Sequence, residues 1–120
     1  MANTVAHMSA YFGNNLSKEE FDTADYFVTS DGKKLPRNTQ YPIIIKRASE
    51  KEIHKVLTKV REESVAHHVF IKEMQDTTND SEITHILKDK AENEVVFYGI
   101  GIFGENNKID TLTKNFQLWK

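Results

Sequence analysis

The chain has 120 residues, a net charge of −2 and no cysteine. That length suits one domain, residues 1–120, able to bury about two thirds of its unfolded surface without staples. The charge balance argues against a dedicated nucleic-acid packager, and the missing thiols exclude disulfides and thiolate metal sites, which agrees with a cytoplasmic location. Apolar runs are too short to cross a bilayer, so no membrane partner is expected, and no signal-peptide pattern opens the chain.

Val5, Met8, Ser9 and Phe12 recur at helical spacing. Residues 2–13 are therefore predicted to form a buried helix with small residues on one side, stopped by Gly13-Asn14-Asn15. Ser17 and Glu20 have the spacing of a capping box, which opens a short helical turn or stays a local cap. Residues 21–29 are mixed, and Ser30-Asp31-Gly32 is a turn signal. Residues 41–46, YPIIIK, read as a strong strand, and three successive isoleucines predict burial on both faces. Ser49 and Glu52 form a second capping box, opening a helix whose stripe is Ile53, Val56, Leu57 and Val60. Residues 65–71 read as a strand, and residues 77–80 as a loop capping a helix through Ile83, Ile86 and Leu87. A strand over 95–103, a short helix through Ile109, Leu112 and Thr113, and an apolar tail over 116–119 complete the chain. Strands alternating with helices predict an α/β domain.

Residues 99–104, GIGIFG, match the dinucleotide-binding pattern G-x-G-x-x-G. The context does not fit: a dinucleotide site needs a helix opening at the glycines and an acidic residue about 20 positions on. Ile100, Ile102 and Phe103 instead continue a buried strand. Glycines in such a strand let another backbone or a ligand approach closely, or permit a bulge.

Five histidines raise a metal hypothesis. His67 and His68 are adjacent in a predicted strand and so point to opposite faces. His54 falls on the polar side of its helix, and no H-x-x-x-H pair exists, so no metal or cofactor is expected. Residues 76–80 lack the glycine and glutamate of a calcium loop. His7 is more informative. Asn3 and His7 lie one helical turn apart and share a face, beside Thr4. Two readings stand: a half-buried histidine satisfied by a carbonyl, or a polar cluster at a cleft where an imidazole moves a proton. Lys33, Lys34, Arg37, Lys46 and Arg47 form a basic cluster, read either as solvating charges or as phosphate contacts.

Three stretches taken together resemble a known family. They are ANTVAHMSA at residues 2–10, YPIIIKRASEKE at 41–52, and YGIGIFGENNKIDTLT at 98–113 and on through Leu118. They resemble the bacterial family catalogued as domain of unknown function 2000, which is similar to type II peptidyl-tRNA hydrolases. The resemblance implies a three-layer sandwich, a mixed β-sheet with helices on both faces. It places the glycine-rich segment in a sheet strand. In those hydrolases a strand and a glycine-lysine loop precede the first helix; here Met1 is almost inside that helix, so that strand and lysine have no counterpart. Either that strand lies upstream of Met1, or, if the chain is complete, a sheet position stays empty or is filled by another subunit. The hydrolase D-A-G-x-T motif is also absent, with Asp76-Thr77 at roughly its place, and Thr4 replaces the helix glutamine.

The resemblance implies an ester hydrolase, such as one acting on peptidyl-tRNA. His7 and Asp76 would activate water, Asn3, Thr4 and Thr77 would bind substrate, and Lys33, Lys34 and Arg37 would meet the tRNA backbone. Two alternatives belong beside it. One is a non-catalytic module binding a small molecule, peptide or RNA end near Asn3 and His7. The other is a homodimeric structural or regulatory protein joined through sheet edges and the tail.

Overall fold

A computed structural model describes residues 1–23 and 25–120; Ala24, within the mixed stretch 21–29, lies outside the described residues. Helix α1 spans Ala2–Asn15. A hairpin follows, β1 (Tyr26–Val28) and β2 (Lys34–Pro36), turning at Gly32 with φ +82°. Then come α2 (Glu50–Glu62), β3 (Ala66–Ile71), the short α3 (Lys72–Asp76), α4 (Asp80–Leu87), β4 (Phe97–Phe103) and α5 (Asn106–Thr113).

Local chemistry explains most of these bounds. At α2 the cap is reciprocal: Ser49 Oγ accepts from the Glu52 amide while Glu52 accepts from the Ser49 amide at 2.7 Å. Those bonds hold the Glu52 carboxyl below its ordinary pKa, with the Ser49 backbone bond as the largest cause. Asn79 caps α4 by accepting from the Ser81 and Glu82 amides. Ser17 and Glu20 make the same reciprocal bonds, yet only turns follow, so this cap stays local. Gly13 does not end α1, which continues two residues to Asn15.

The core sits between α2 and the β3–β4 pair. Ile53, Val56, Leu57 and Val60 are buried as the helical stripe requires, with Ile71, Val95 and Phe97 against them. Strands β3 and β4 run antiparallel, with Ala66 opposite Phe103 and Phe70 opposite Gly99. The opposite face of this sheet carries α1. A helix therefore covers each face, but the sheet has two antiparallel strands, and no parallel pair occurs among the described residues. The mixed sheet expected from the resemblance is not formed here.

Gly99 and Gly101 are the reason α1 can lie so close. A Cβ on Gly99 would come within 3.0 Å of Met8 Cε and Thr4 Cγ2, and one on Gly101 within 3.0 Å of Phe12 Cε2. The G-x-G-x-x-G pattern is thus a bare strip on which a helix rests. Phe12 is the one buried residue described in α1, so this helix is half-exposed, not the buried helix its small residues suggest. Small residues here reflect close approach to a strand, not enclosure.

Residues 41–46 depart furthest from expectation. They form no strand: Lys46 makes one antiparallel bridge with Leu118, flanked by the Arg47 amide to Gln117 O and the Trp119 amide to Ile45 O. Ile43 and Ile44 are 62% and 61% exposed. The two ends of the segment are held at different places. Tyr41 packs edge-on to Phe103, with ring centroids 5.5 Å apart. Lys46 Nζ donates to Thr113 O and Oγ1 at the end of α5, where a cation complements the helix dipole.

Glu73 is the buried charge of the fold. It is 5% exposed and pairs with Lys90 at 2.5 Å, joining α3 to the loop after α4. The Lys90 bond holds its carboxyl below the ordinary range despite burial. Lys90→Met, which strands that carboxylate, is expected to destabilise by about 3 kcal/mol in urea unfolding. Gly101→Val is expected to cost about 1–3 kcal/mol by overpacking against the Phe12 ring. Gly104→Ala, whose Cβ would meet its neighbours at 3.5 Å or more, is expected to leave the unfolding midpoint nearly unchanged.

Candidate functional site

The polar groups that converge lie where the N-terminal part of α1 meets the end of β3. Helical spacing aims Asn3 and His7 the same way. Asn3 Nδ2 donates to Gln75 Oε1 of α3 at 3.3 Å. His7 stacks on the Phe70 ring at 5.5 Å between centroids and remains exposed. Phe70 is itself 2% exposed, so the imidazole rests on a fixed apolar floor.

At the same end, the register shifts between Phe70 and Ile71, which faces Phe97, leaving Tyr98 as the extra residue of a β-bulge. The Lys72 amide bonds to Val96 O at 2.9 Å, which holds the start of α3 against the beginning of β4. Lys72 pairs with Asp76 one helical turn on. Asp76 is the largest cause of the raised pKa of the Lys72 ammonium, and Tyr98 adds to it. Asn3 and His7 of α1, Lys72, Gln75 and Asp76 of α3 and Tyr98 of β4 thus lie toward one end of the sheet. Lys72, Gln75 and Tyr98 are absent from the candidates read in the sequence. A bulge and a five-residue helix leave no periodic signature, and only Lys72 and Asp76 at i,i+4 could have suggested the pair.

The remaining candidates divide. Thr4 touches the glycine strip through Cγ2, so it takes part in packing. Thr77 Oγ1 donates to Glu82 and accepts from the Asn79 amide, bonds that secure the start of α4. Lys33 and Lys34 lie on the β1–β2 hairpin, Lys34 over the Tyr26 ring at 5.8 Å. Arg37 is paired with Asp22 at 3.4 Å and Asp25 at 3.6 Å. The structure therefore does not gather the basic residues beside His7. His54, assigned to the polar side of α2, meets the Phe97 ring edge-on at 4.7 Å. Among the described residues no three His, Asp or Glu side chains cluster as a metal site would need. No helix there is long and apolar enough to cross a membrane.

His68 lies deeper than His7, one turn of α1 away, under the Tyr11 ring at 4.6 Å. His67 turns from it and its Nδ1 lies 2.8 Å from Val65 O, an acceptor, so that nitrogen carries the proton. Burial, then the charges of His7 and His67, lower the pKa of His68. Its Nδ1 is buried without a partner among the described residues.

An α/β domain with one helix on each face of an antiparallel pair, and a polar rim at the end of that pair, is the class this geometry defines. The chain belongs to the family described as protein of unknown function (DUF2000), whose model matches residues 1–120. It is similar in fold to a solved protein of unknown function, Atu0240, from Agrobacterium tumefaciens str. C58. That similarity has a TM-score of 0.77 at 16% identity and covers 99% of this chain and 86% of that one. No curated protein matches the chain.

The lowered pKa of His68 has a defined consequence for stability. Between the folded pKa and the ordinary value near 6.5, the unfolded chain binds the proton that the folded chain resists. The contribution is therefore full above about pH 6.5 and is lost as pH falls through the folded pKa. Urea midpoints are expected to drop from pH 8 to pH 5.5, and His68→Phe, which keeps a ring under Tyr11, is expected to reduce that drop.

Proposed function

We propose that the rim around His7 is a hydrolytic site for an ester, peptidyl-tRNA or a smaller relative, on a type II peptidyl-tRNA hydrolase-like fold. The observation that supports this is the Asn3–Gln75 bond, which ties α1 to α3, with an exposed His7 stacked on Phe70 of the strand that leads into α3. In this reading a water molecule attacks the ester carbonyl while His7 accepts its proton. The tetrahedral oxyanion is met by an amide donor from Asn3 and the Lys72 ammonium. The C–O bond to the alcohol then breaks, and His7 returns the proton to the leaving oxygen, giving an acid and an alcohol. Asp76 acts through Lys72, which it orients, and not directly on water. The resemblance of residues 2–10 and 98–113 to the hydrolase segments supports the reaction class, and a cytoplasmic location is consistent with it.

The positions of Lys33, Lys34 and Arg37 favour a small ester over tRNA within this reading. Arg37 is already neutralised, and the two lysines project on the hairpin. The commitment of Asp76 to Lys72 favours a second reading, a non-catalytic module that binds a carbonyl ligand at Asn3 and His7.

The test compares an N-blocked aminoacyl-tRNA with an N-blocked amino-acid ester lacking nucleic acid. Turnover of the small ester is expected, with His7→Ala lowering kcat/KM by about 10²–10⁴-fold. Absence of turnover on both substrates overturns the hydrolase reading. Shifts of the His7 and Asn3 NMR signals by the uncleaved ester would then establish the binding module.

A further inference from the structure

One contiguous excursion of the chain, residues 26–45, carries large apolar side chains in the open. Phe27, Val28, Leu35, Tyr41, Ile43 and Ile44 are all about half exposed or more. A soluble monomer rarely leaves such a patch uncovered. The radius of gyration is 16.8 Å and the longest extent 57 Å, against about 14 Å expected for the radius of a compact chain this long. The molecule is elongated, and this arm of the chain leaves its large apolar side chains open.

The same chain presents a surface that fits the arm. Strand β4 pairs with β3 alone among the described residues, so its outer edge is open. Its seven residues, FYGIGIF, include no charged side chain, and neither does the arm stretch YPIII. Exposed edges are ordinarily guarded by lysine, proline in the strand or a covering element. Among the described residues the backbone N–H groups of Ile43 and Ile44 have no partner.

We infer that a second copy of this chain covers the arm, in a two-fold dimer in which residues 41–45 of each copy add as a strand to the outer edge of β4 in the other. Area supports a second copy as the occupant. At on the order of 100 Å² for each half-exposed large side chain, six offer on the order of 600 Å² per copy, most of the roughly 800 Å² that one partner gives to a standard interface. A two-fold axis makes one arm and one edge per copy sufficient, so both needs close together. Pro42 at the start of the added strand is tolerated because it then lies at an edge. The inference is independent of any activity at His7.

Light scattering after size exclusion tests it on the full chain at sub-millimolar concentration. Wild type is expected at the mass of two chains, and Ile43→Glu/Ile44→Glu at the mass of one, with an unchanged helical circular dichroism signal. A one-chain mass for wild type, or a two-chain mass kept by the folded double variant, overturns the inference. Should the double variant unfold, hydrogen exchange on wild type decides. The amides of Ile43, Ile44 and the outer side of β4 are expected to be protected at high concentration and to lose protection on dilution. Fast exchange of these amides at every concentration overturns it.

Discussion

The close approach of α1 to β4 governs the architecture. A helix normally stands about 10 Å from a sheet because side chains separate the two. Here Gly99 and Gly101 remove those side chains on one face, and Met8, Thr4 and Phe12 descend into the space. Phe70 and His68 flank the strip on β3, providing a floor for His7 and Tyr11. The depth of α1 thus sets how near Asn3 comes to Gln75. A methyl group on the strip would meet side chains of that helix, Met8, Thr4 or Phe12, at 3.0 Å.

Much of the charge in this chain is already committed to holding elements together. Lys46 closes the end of α5, Glu73 and Lys90 tie α3 to the loop after α4, and Arg37 bridges Asp22 and Asp25. Lys72 and Asp76 neutralise each other across one turn of α3. A side chain engaged in this way is less free to meet a phosphate or to accept a proton from water. His7 differs: it stacks on a ring, and among the described residues neither of its nitrogens has a hydrogen-bond partner.

What was legible in the sequence follows from the range of the interactions involved. The α2 cap and stripe are readable because they depend on residues three and four apart. The glycines were correctly read as sites of close approach, although not which element would approach. Burial of residues 41–46 was misread, since an apolar run records affinity for an apolar surface without saying where that surface is. Helix α1 is similar: the spacing of Val5, Met8, Ser9 and Phe12 gives the helix but not its depth, and Phe12 is its one buried residue among those described. A bulge is among the readings that the glycines of this strand allow, but its place at Tyr98 is not legible, because a register shift belongs to two strands and no single stretch encodes it.

The bulge, the glycine strip and the open edge all belong to β4, and this couples properties that otherwise look separate. One face of the strand carries α1, its start aims Tyr98 toward Lys72, and its outer edge is unpaired. Glycine-rich strands resist bending and slippage poorly on their own, having no side chains to lock their register. A third strand along the outer edge would fix the pleat of β4, and hence the height of the strip beneath α1. Assembly and the geometry of the His7 rim are then linked through one strand. On that basis the rim is best ordered when the edge is filled, and loosening the edge would act on Asn3 and His7 without touching either residue.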